Sequence, residues 1–360
     1  MGIGITSHYP QAAFRIKSSF FRFLKTKSVL ISDKQKKILT QLSDGEFHSG
    51  TELAEVLGVS RSAICKQLKG LSELGLHHSA VSGKGYRLDK PLELLAHSKI
   101  NAILSEQNKA LISTLEIHDT LNSTNSYLVE HSHNNAASGF VCFAEHQTAG
   151  KGRRGRQWIS PYGSNIYVSI LWRFQQGGIA GTAGLSLAIG VAVIRALKQH
   201  NINDVGLKWP NDIYSQGKKL GGILIEVSGE SDGPCAAVIG LGLNLFLPEI
   251  QAQTITQAWT DLTKISGENP LHRNKLAGTV LNHILAIVNG FETVGIRAYL
   301  DEWRSYDCLK GKSATLFIGQ QQVEGIVEGI DDNGLLLIKK SDGTIQAFAS
   351  GEVSFNASTT

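Results

Sequence analysis

Gly150-Lys151-Gly152-Arg153-Arg154-Gly155-Arg156 comes shortly after an apolar, strand-forming run at 140–145. In form, residues 150–155 match G-x-G-x-x-G, the fingerprint of a dinucleotide-binding βαβ unit, and the fold class turns on that match. Such a unit needs a helix opening at the third glycine and an acid at the end of the next strand, about twenty residues on. Here Trp158, Pro161 and Gly163 follow, which is loop composition, and the next strand-like run ends in Leu171-Trp172-Arg173. The dinucleotide reading is therefore rejected, and a P-loop, G-x-x-x-x-G-K-[ST], does not occur. What remains is a glycine loop carrying four cations in seven residues, with no acid beside it in the chain. Lys151, Arg153, Arg154 and Arg156 repel one another, so the loop should be mobile until a polyanion orders it. Glycines let backbone N–H groups and guanidinium forks close around phosphate oxygens. Nucleotide phosphates, a nucleic-acid backbone and plain solvent all fit that composition.

Around the loop, strand-like runs fall at 115–118, 140–145, 166–174, 205–209, 222–227 and 236–246. Between them, 183–197 has a broad helical apolar face (Leu185, Ala188, Ile189, Ala192, Val193, Ala196, Leu197), and further helices are expected at 274–288 and 295–305. Strands with few crossover helices favour an α+β layer over a doubly wound sheet. Lys208 stands on one of these strands among Val205, Leu207 and Trp209, a setting where a cation normally has a partner. A reacting carboxylate and an α-phosphate would be such partners; Pro210-Asn211-Asp212 behind it makes a good turn in any case. Asn122-Ser123-Thr124-Asn125 marks a helix start whose hydroxyls and free N–H groups can hold a small polar ligand, or only cap the helix. From Gly311 the chain alternates in short strands at 314–318, 323–330, 334–339 and 345–349, with Asp332-Asn333-Gly334 and Asp342-Gly343 as hairpin turns. That pattern reads as a small all-β barrel.

Toward the N-terminus the pattern is helical. Ser32 or Asp33 caps a first helix with Ile38, Leu39 and Leu42 inward, ended by Asp44-Gly45. Ser49-Gly50-Thr51-Glu52 has the form of a capping box for a short second helix. After the Gly58-Val59-Ser60 turn, a third helix puts Ala63, Ile64, Leu68, Leu71 and Leu74 on one side and Arg61, Ser62, Lys66, Gln67 and Lys69 on the other. A hairpin with Lys84 at its tip and Arg87 beside it follows. This is the layout of a winged helix-turn-helix: Arg61 and Ser62 open the helix that meets base edges, while Lys66, Lys69, Lys84 and Arg87 reach phosphates. A three-helix bundle with a solvated basic face is the alternative.

The chain has 360 residues, 42% hydrophobic and 18% charged, which excludes a disordered chain and suits two to three domains. A net charge of +4 is too small to name a partner, and no stretch has the ~18 uninterrupted apolar residues of a spanning helix. Cys65, Cys142, Cys235 and Cys308 lie far apart and read as free thiols in a reducing, cytoplasmic compartment. No HExxH or G-x-S-x-G occurs, and His131-Ser132-His133 sits in a polar, turn-like stretch, so no metal site is expected. Residues 1–31 hold no acid and five cations; they are expected to be a flexible basic leader, an organelle transit peptide being the other possibility.

Taken together, the chain resembles the family of bifunctional biotin–protein ligases that also repress the biotin operon. The resemblance covers roughly 32–358 and rests on ordered matches: Gly83-Lys84-Gly85-Tyr86-Arg87-Leu88, Ser123-Thr124-Asn125, Glu145-His146-Gln147-Thr148-Ala149-Gly150, the basic loop, Lys208-Trp209-Pro210-Asn211-Asp212, Lys219-Leu220-Gly221-Gly222-Ile223-Leu224-Ile225-Glu226 and Gly240-Leu241-Gly242-Leu243-Asn244. It implies a winged helix-turn-helix over 32–95, a class II synthetase-like mixed α/β ligase domain over 96–308 and an SH3-like barrel over 309–360.

It further implies two reaction steps. Biotin's carboxylate attacks the α-phosphorus of Mg-ATP, giving biotinyl-5′-AMP and diphosphate; a lysine of a biotin carboxyl carrier protein then displaces AMP. Ser123, Thr124, Asn125 and Gln147 would line the biotin site, with Lys151, Gly152 and Arg153 folding over it. Lys208 would bridge carboxylate and phosphate, with Arg153 as its catalytic companion. Gly150, Arg154 and Arg156 would meet the nucleotide, with Asn244 and Trp259 toward adenine. The adenylate would be the corepressor of an operator-binding homodimer, with no membrane involved. A repressor without efficient ligase activity and a lipoate ligase relative are the competing readings. One departure is Lys151 where the family commonly has arginine: the charge stays and the bidentate fork is lost, so adenylate retention should change rather than activity vanish.

Overall fold

A computed structural model of the chain describes residues 31–267 and 271–355; apart from Ile31, the leader expected over 1–31 lies outside the described residues. α1 (Asp33–Leu42), α2 (Gly50–Leu57) and α3 (Arg61–Glu73) pack Ile38, Leu39, Leu42, Leu53, Ile64, Leu68 and Leu71 into one core. Ser32 starts α1 through a complete capping box with Gln35. The box expected at Ser49 is half built: Ser49 Oγ accepts from Glu52 N at 3.0 Å, but the Glu52 carboxylate turns back to His48 Nδ1 at 3.1 Å. Gly58, at φ 62°, closes α2 in the left-handed region, so the chain can turn into α3 without a Cβ clash. β1 (His78–Val81) and β2 (Gly85–Leu88) pair antiparallel as the wing.

Two single turns, α4 (His97–Asn101) and α5 (Glu106–Lys109), lead into the central sheet. Its strands are β3 (Thr114–His118), β4 (Phe140–Ala144), β5 (Ile166–Phe174), β6 (Gly206–Lys208), β7 (Asp212–Ser215), β8 (Lys218–Gly229) and β9 (Cys235–Leu243). They lie in the order β3-β4-β5-β9-β8-β7-β6, and only β3 and β4 run parallel, so the α+β expectation holds. Alternation along β4 serves two cores. Phe140 and Cys142 meet Leu128 of α6 (Thr124–His133), whereas Val141 and Phe143 join the large core.

That core contains α8 (Leu185–Gln199), which follows the short α7 (Gly178–Gly181), and α11 (Arg273–Val294), which follows two more single turns, α9 (Glu249–Ala252) and α10 (Leu262–Ile265). Gly178–Gln199 is long and apolar enough to cross a bilayer by composition, but Ala188, Ile189, Ala192 and Val193 of α8 are fully buried in the core. His131 and His133 are in the last turn of α6 rather than in a loop, and the tilted rings of His131 and Tyr127 meet at 4.2 Å. The helix expected over 295–305 is a 3-10 turn followed by α12 (Leu300–Ser305).

The C-terminal sheet comprises β10 (Ser313–Ile318), β11 (Gln321–Ile330), β12 (Leu336–Lys339), β13 (Ile345–Phe348) and β14 (Glu352–Phe355), all antiparallel in the order β13-β12-β11-β10-β14. Leu316, Val327, Ile338 and Val353 pack into the central core, so this domain is fused to the ligase layer. The N-terminal domain keeps a core of its own and is joined to the ligase layer at particular residues. Tyr162 of the central region is fully buried in the helix-turn-helix core, and Lys36 of α1 pairs with Asp119 at 3.0 Å. Below it, the buried Arg273 guanidinium pairs with buried Glu145 and donates to Asn165 O and Glu93 O. Glu145 also accepts from Leu95 N at 2.6 Å. Each buried charge is thus compensated on several sides, which burial of an ion pair requires.

Candidate active site and DNA-binding face

A narrow cleft opens over β8 and β9. Its floor is Gly222, Gly240 and Gly242; the register pairs Gly222 with Gly242 and Leu224 with Gly240. At Gly242 a Cβ would collide with the Trp158 indole, so glycine there lets the ring approach the strand backbone closely. Ser123, Thr124, Asn125 and Gln147 line one end.

All four are buried, and Thr124, Asn125 and Gln147 are cross-linked. Thr124 N and Oγ1 donate to Gln147 Oε1 at 2.9 and 3.2 Å, and Gln147 Nε2 donates to Ser160 Oγ at 2.9 Å. Ser169 Oγ reaches Thr124 Oγ1 at 2.8 Å and Asn125 Oδ1 at 2.7 Å. Asn125 Nδ2 donates to Glu226 Oε2 at 2.9 Å. Ser123 caps α6. The result is a rigid wall of amides and hydroxyls at a helix N-terminus, suited to a neutral, hydrogen-bonding ligand.

Lys151, Gly152, Arg153 and Arg156 form the opposite lip, while Gly150 and Arg154 are not part of the lining. The loop is not shapeless. Lys151 bridges to Gln157 as in a short antiparallel pair, Trp158 N donates to Gly150 O at 2.8 Å, and Gly152 N donates to Arg156 O at 2.7 Å. Acids absent from the neighbouring sequence arrive from elsewhere in the fold: Lys151 lies 3.6 Å from Glu226, and Arg156 lies 2.6 Å from Glu352 on β14. Arg153 Nη1 donates to Asn211 Oδ1 at 3.1 Å. Burial lowers the pKa of Arg153 from its usual value, with Asp212 pulling the other way.

Lys208 lies outside the lining, beside it. Its Nζ is 3.2 Å from Tyr214 Oη and sits over the Tyr214 and Phe355 rings at 4.9 and 5.0 Å. Burial lowers its pKa below the usual lysine value, with Asp212 opposing. Asn244 and Trp259 stand together in a smaller pocket that shares Gln157, Trp158, Lys219 and Gln257 with the main cleft. Sequence reading assigned no role to Trp158, Lys219 or Asp212, yet all three line the cleft. Lys219 pairs with Asp212 at 2.8 Å and sits over Trp158 at 5.6 Å. The available signal was the spacing of Gly240 and Gly242, which on a strand bares one face beneath a large side chain.

In the N-terminal domain, Arg61, Ser62, Lys66 and Lys69 are exposed on α3, and Lys84 is exposed at the wing tip. Arg87 and Lys84 lie over the Phe47 ring at 4.6 and 5.8 Å. Gln67 departs from this face: it is half-buried and accepts a hydrogen bond from Ser32 Oγ at 3.3 Å. Tyr86 Oη and Cys65 Sγ, 3.1 Å apart, link wing and helix.

Known proteins agree with this arrangement. Residues 34–87 match an HTH domain, residues 118–244 the biotin/lipoate A/B protein ligase family, and residues 313–356 the biotin protein ligase C terminal domain. The bifunctional ligase/repressor BirA of Escherichia coli (strain K12) is 39% identical over 321 residues, 89% of this chain and 97% of that protein. The protein of the same description from Bacillus subtilis (strain 168) is 33% identical, covering 83% of this chain and 91% of its own length. Among solved structures, biotin protein ligase from Aquifex aeolicus in complex with biotin and ATP superposes with a TM-score of 0.58 at 28% identity, covering 69% of this chain and 100% of that one. Over its described length, from helix-turn-helix to C-terminal sheet, this chain belongs to the bifunctional biotin ligase/repressor family.

Proposed function

We propose that the central domain activates biotin with Mg-ATP to biotinyl-5′-AMP and transfers biotin to a lysine of a carboxylase's carrier domain, and that the N-terminal domain represses transcription with the adenylate as corepressor. The observation that carries this is the join of a neutral polar wall (Ser123, Thr124, Asn125, Gln147) to a cationic lip (Lys151, Arg153, Arg156) across one cleft. Biotin needs the first, and the two anions that must react need the second. No protein nucleophile is required, because the work is to bring together and screen a carboxylate and a triphosphate.

In this reading the wall holds biotin, and Lys151, Gly152 and Arg153 cover it. Lys208 leaves Tyr214 to bridge carboxylate and α-phosphate. Arg154 and Arg156 meet the outer phosphates, and Asn244 and Trp259 flank adenine. Arg61 and Ser62 read base edges, while Lys66, Lys69, Lys84 and Arg87 hold phosphates. A palindromic operator needs two helix-turn-helix faces, which supports a homodimer formed when the adenylate is bound. Four free cysteines support a cytoplasmic setting.

The test is to incubate the protein with labelled ATP and either biotin or lipoate. An acid-labile adenylate with biotin alone is expected. Its absence in folded protein removes the ligase reading, and activation of lipoate instead transfers the chain to the lipoate branch. Adding a carrier domain separates an active ligase from a repressor that only senses biotin. A mobility shift unaffected by biotin plus ATP counts against corepression.

A further inference from the structure

Two of the loop's arginines are held from outside the ligase layer. Glu352 of β14 is 2.6 Å from Arg156 Nη1 and 3.7 Å from Arg154 Nη1, and Arg154 Nη2 donates to Phe317 O of β10 at 3.2 Å. Three residues on, Phe355 of the same strand lies over Lys208. The carboxylate is 39% exposed, so a competing anion can reach the cations without unfolding anything. Arg154 has φ 56° and ψ 36°, the left-handed region that disfavours any residue with a Cβ, and the Glu352 and Phe317 contacts bear on this residue.

We propose that Glu352 is a positioning residue that competes with ATP: it restrains Arg154 and Arg156 in the nucleotide-free protein and releases them to the triphosphate. The inference rests on the reading in which these arginines meet ATP phosphates. A carboxylate and a phosphate make the same charge-assisted bonds to guanidinium, so one site can be exchanged between them. Whatever holds the arginines before ATP arrives subtracts from ATP affinity.

The experiment measures KM for ATP, KM for biotin and kcat of adenylation in full-length E352Q, R156Q and the double variant. E352A is a second variant, in case the glutamine amide keeps bonds to the arginines. Exposed ion pairs of this kind set the scale, so E352Q should lower KM for ATP about two- to fivefold, with kcat and biotin KM nearly unchanged. R156Q should raise KM for ATP, and by more in the E352Q background than alone, because wild-type ATP must first displace Glu352. An unchanged or raised KM for ATP in both E352Q and E352A overturns the proposal. Strictly additive effects also overturn it, since Glu352 would then be only a distant negative charge. If R156Q leaves KM for ATP untouched, the phosphate reading beneath it has failed, a separate and recognisable result.

Discussion

The recognition helix with its wing and the glycine loop are both rich in lysine and arginine, and the fold treats them in opposite ways. Arg61, Lys66, Lys69 and Lys84 stand exposed, with no ion pair among the described residues. Lys151, Arg153 and Arg156 are each within bonding or pairing distance of Glu226, Asn211 or Glu352. Exposed cations on a fixed scaffold suit a long polyanion that docks whole and releases counterions. Cations already engaged suit a small ligand that must displace something, which makes their release a step that can be controlled. A third arrangement, the buried Arg273–Glu145 pair, is wholly internal and serves architecture.

The sharpest way to break this contrast is at Lys208. Lys208→Ala should slow adenylation about a thousandfold with the fold unchanged by circular dichroism, and a loss of less than tenfold would remove Lys208 from the reaction. Glu145→Ala, which leaves the Arg273 guanidinium buried without its counter-charge, should destabilise the protein by about 3–5 kcal/mol in denaturant melts. Arg61→Ala should weaken operator binding by about 1–3 kcal/mol and leave adenylation alone; equal damage to both activities would erase the distinction between the two basic regions. Lys151→Arg restores a guanidinium fork and should slow adenylate release a few-fold, read by chase of labelled intermediate.

The smallest effect concerns His48. Burial lowers its pKa, but hydrogen bonds to Glu52 and Asp44 outweigh that and raise it above the usual imidazole value of 6.5. A folded-state pKa that is raised means stability fully present below the unfolded value and lost as pH climbs through the folded one. The melting difference between wild type and His48→Gln should therefore be larger near about pH 5.5 than near about pH 8; the reverse order would show that the neutral ring is the stabilising form.

Local signals were legible in proportion to how local they were. The cap at Ser32, the Gly58 turn, and the apolar runs of β4 and β5 could be read directly, because each depends on residues within one or two turns. The wall residues Ser123 to Asn125 were legible as a helix start able to hold a small polar ligand, and their assignment to biotin came only through resemblance. What escaped lay across large separations in the chain. Glu352 is 196 residues from Arg156, so repulsion within the loop was visible and its relief was not. The strand holding Glu352 went unread because four residues after a turn carry too little periodicity. Gln67 looked like part of the basic face, yet its turn toward Ser32 depends on how α1 crosses α3. Trp158 and Lys219 gain meaning only when β8 and β9 are side by side.

Tyr162 has a practical corollary for anyone dividing this molecule. Its ring is rooted in one domain and roofed by another, so cutting the chain between residues 95 and 96 strips an aromatic group bare just beyond Ser160, which holds Gln147. A ligase fragment made that way would carry a sticky scar close to the polar wall of its cleft. Heating the intact protein should melt both halves in one transition.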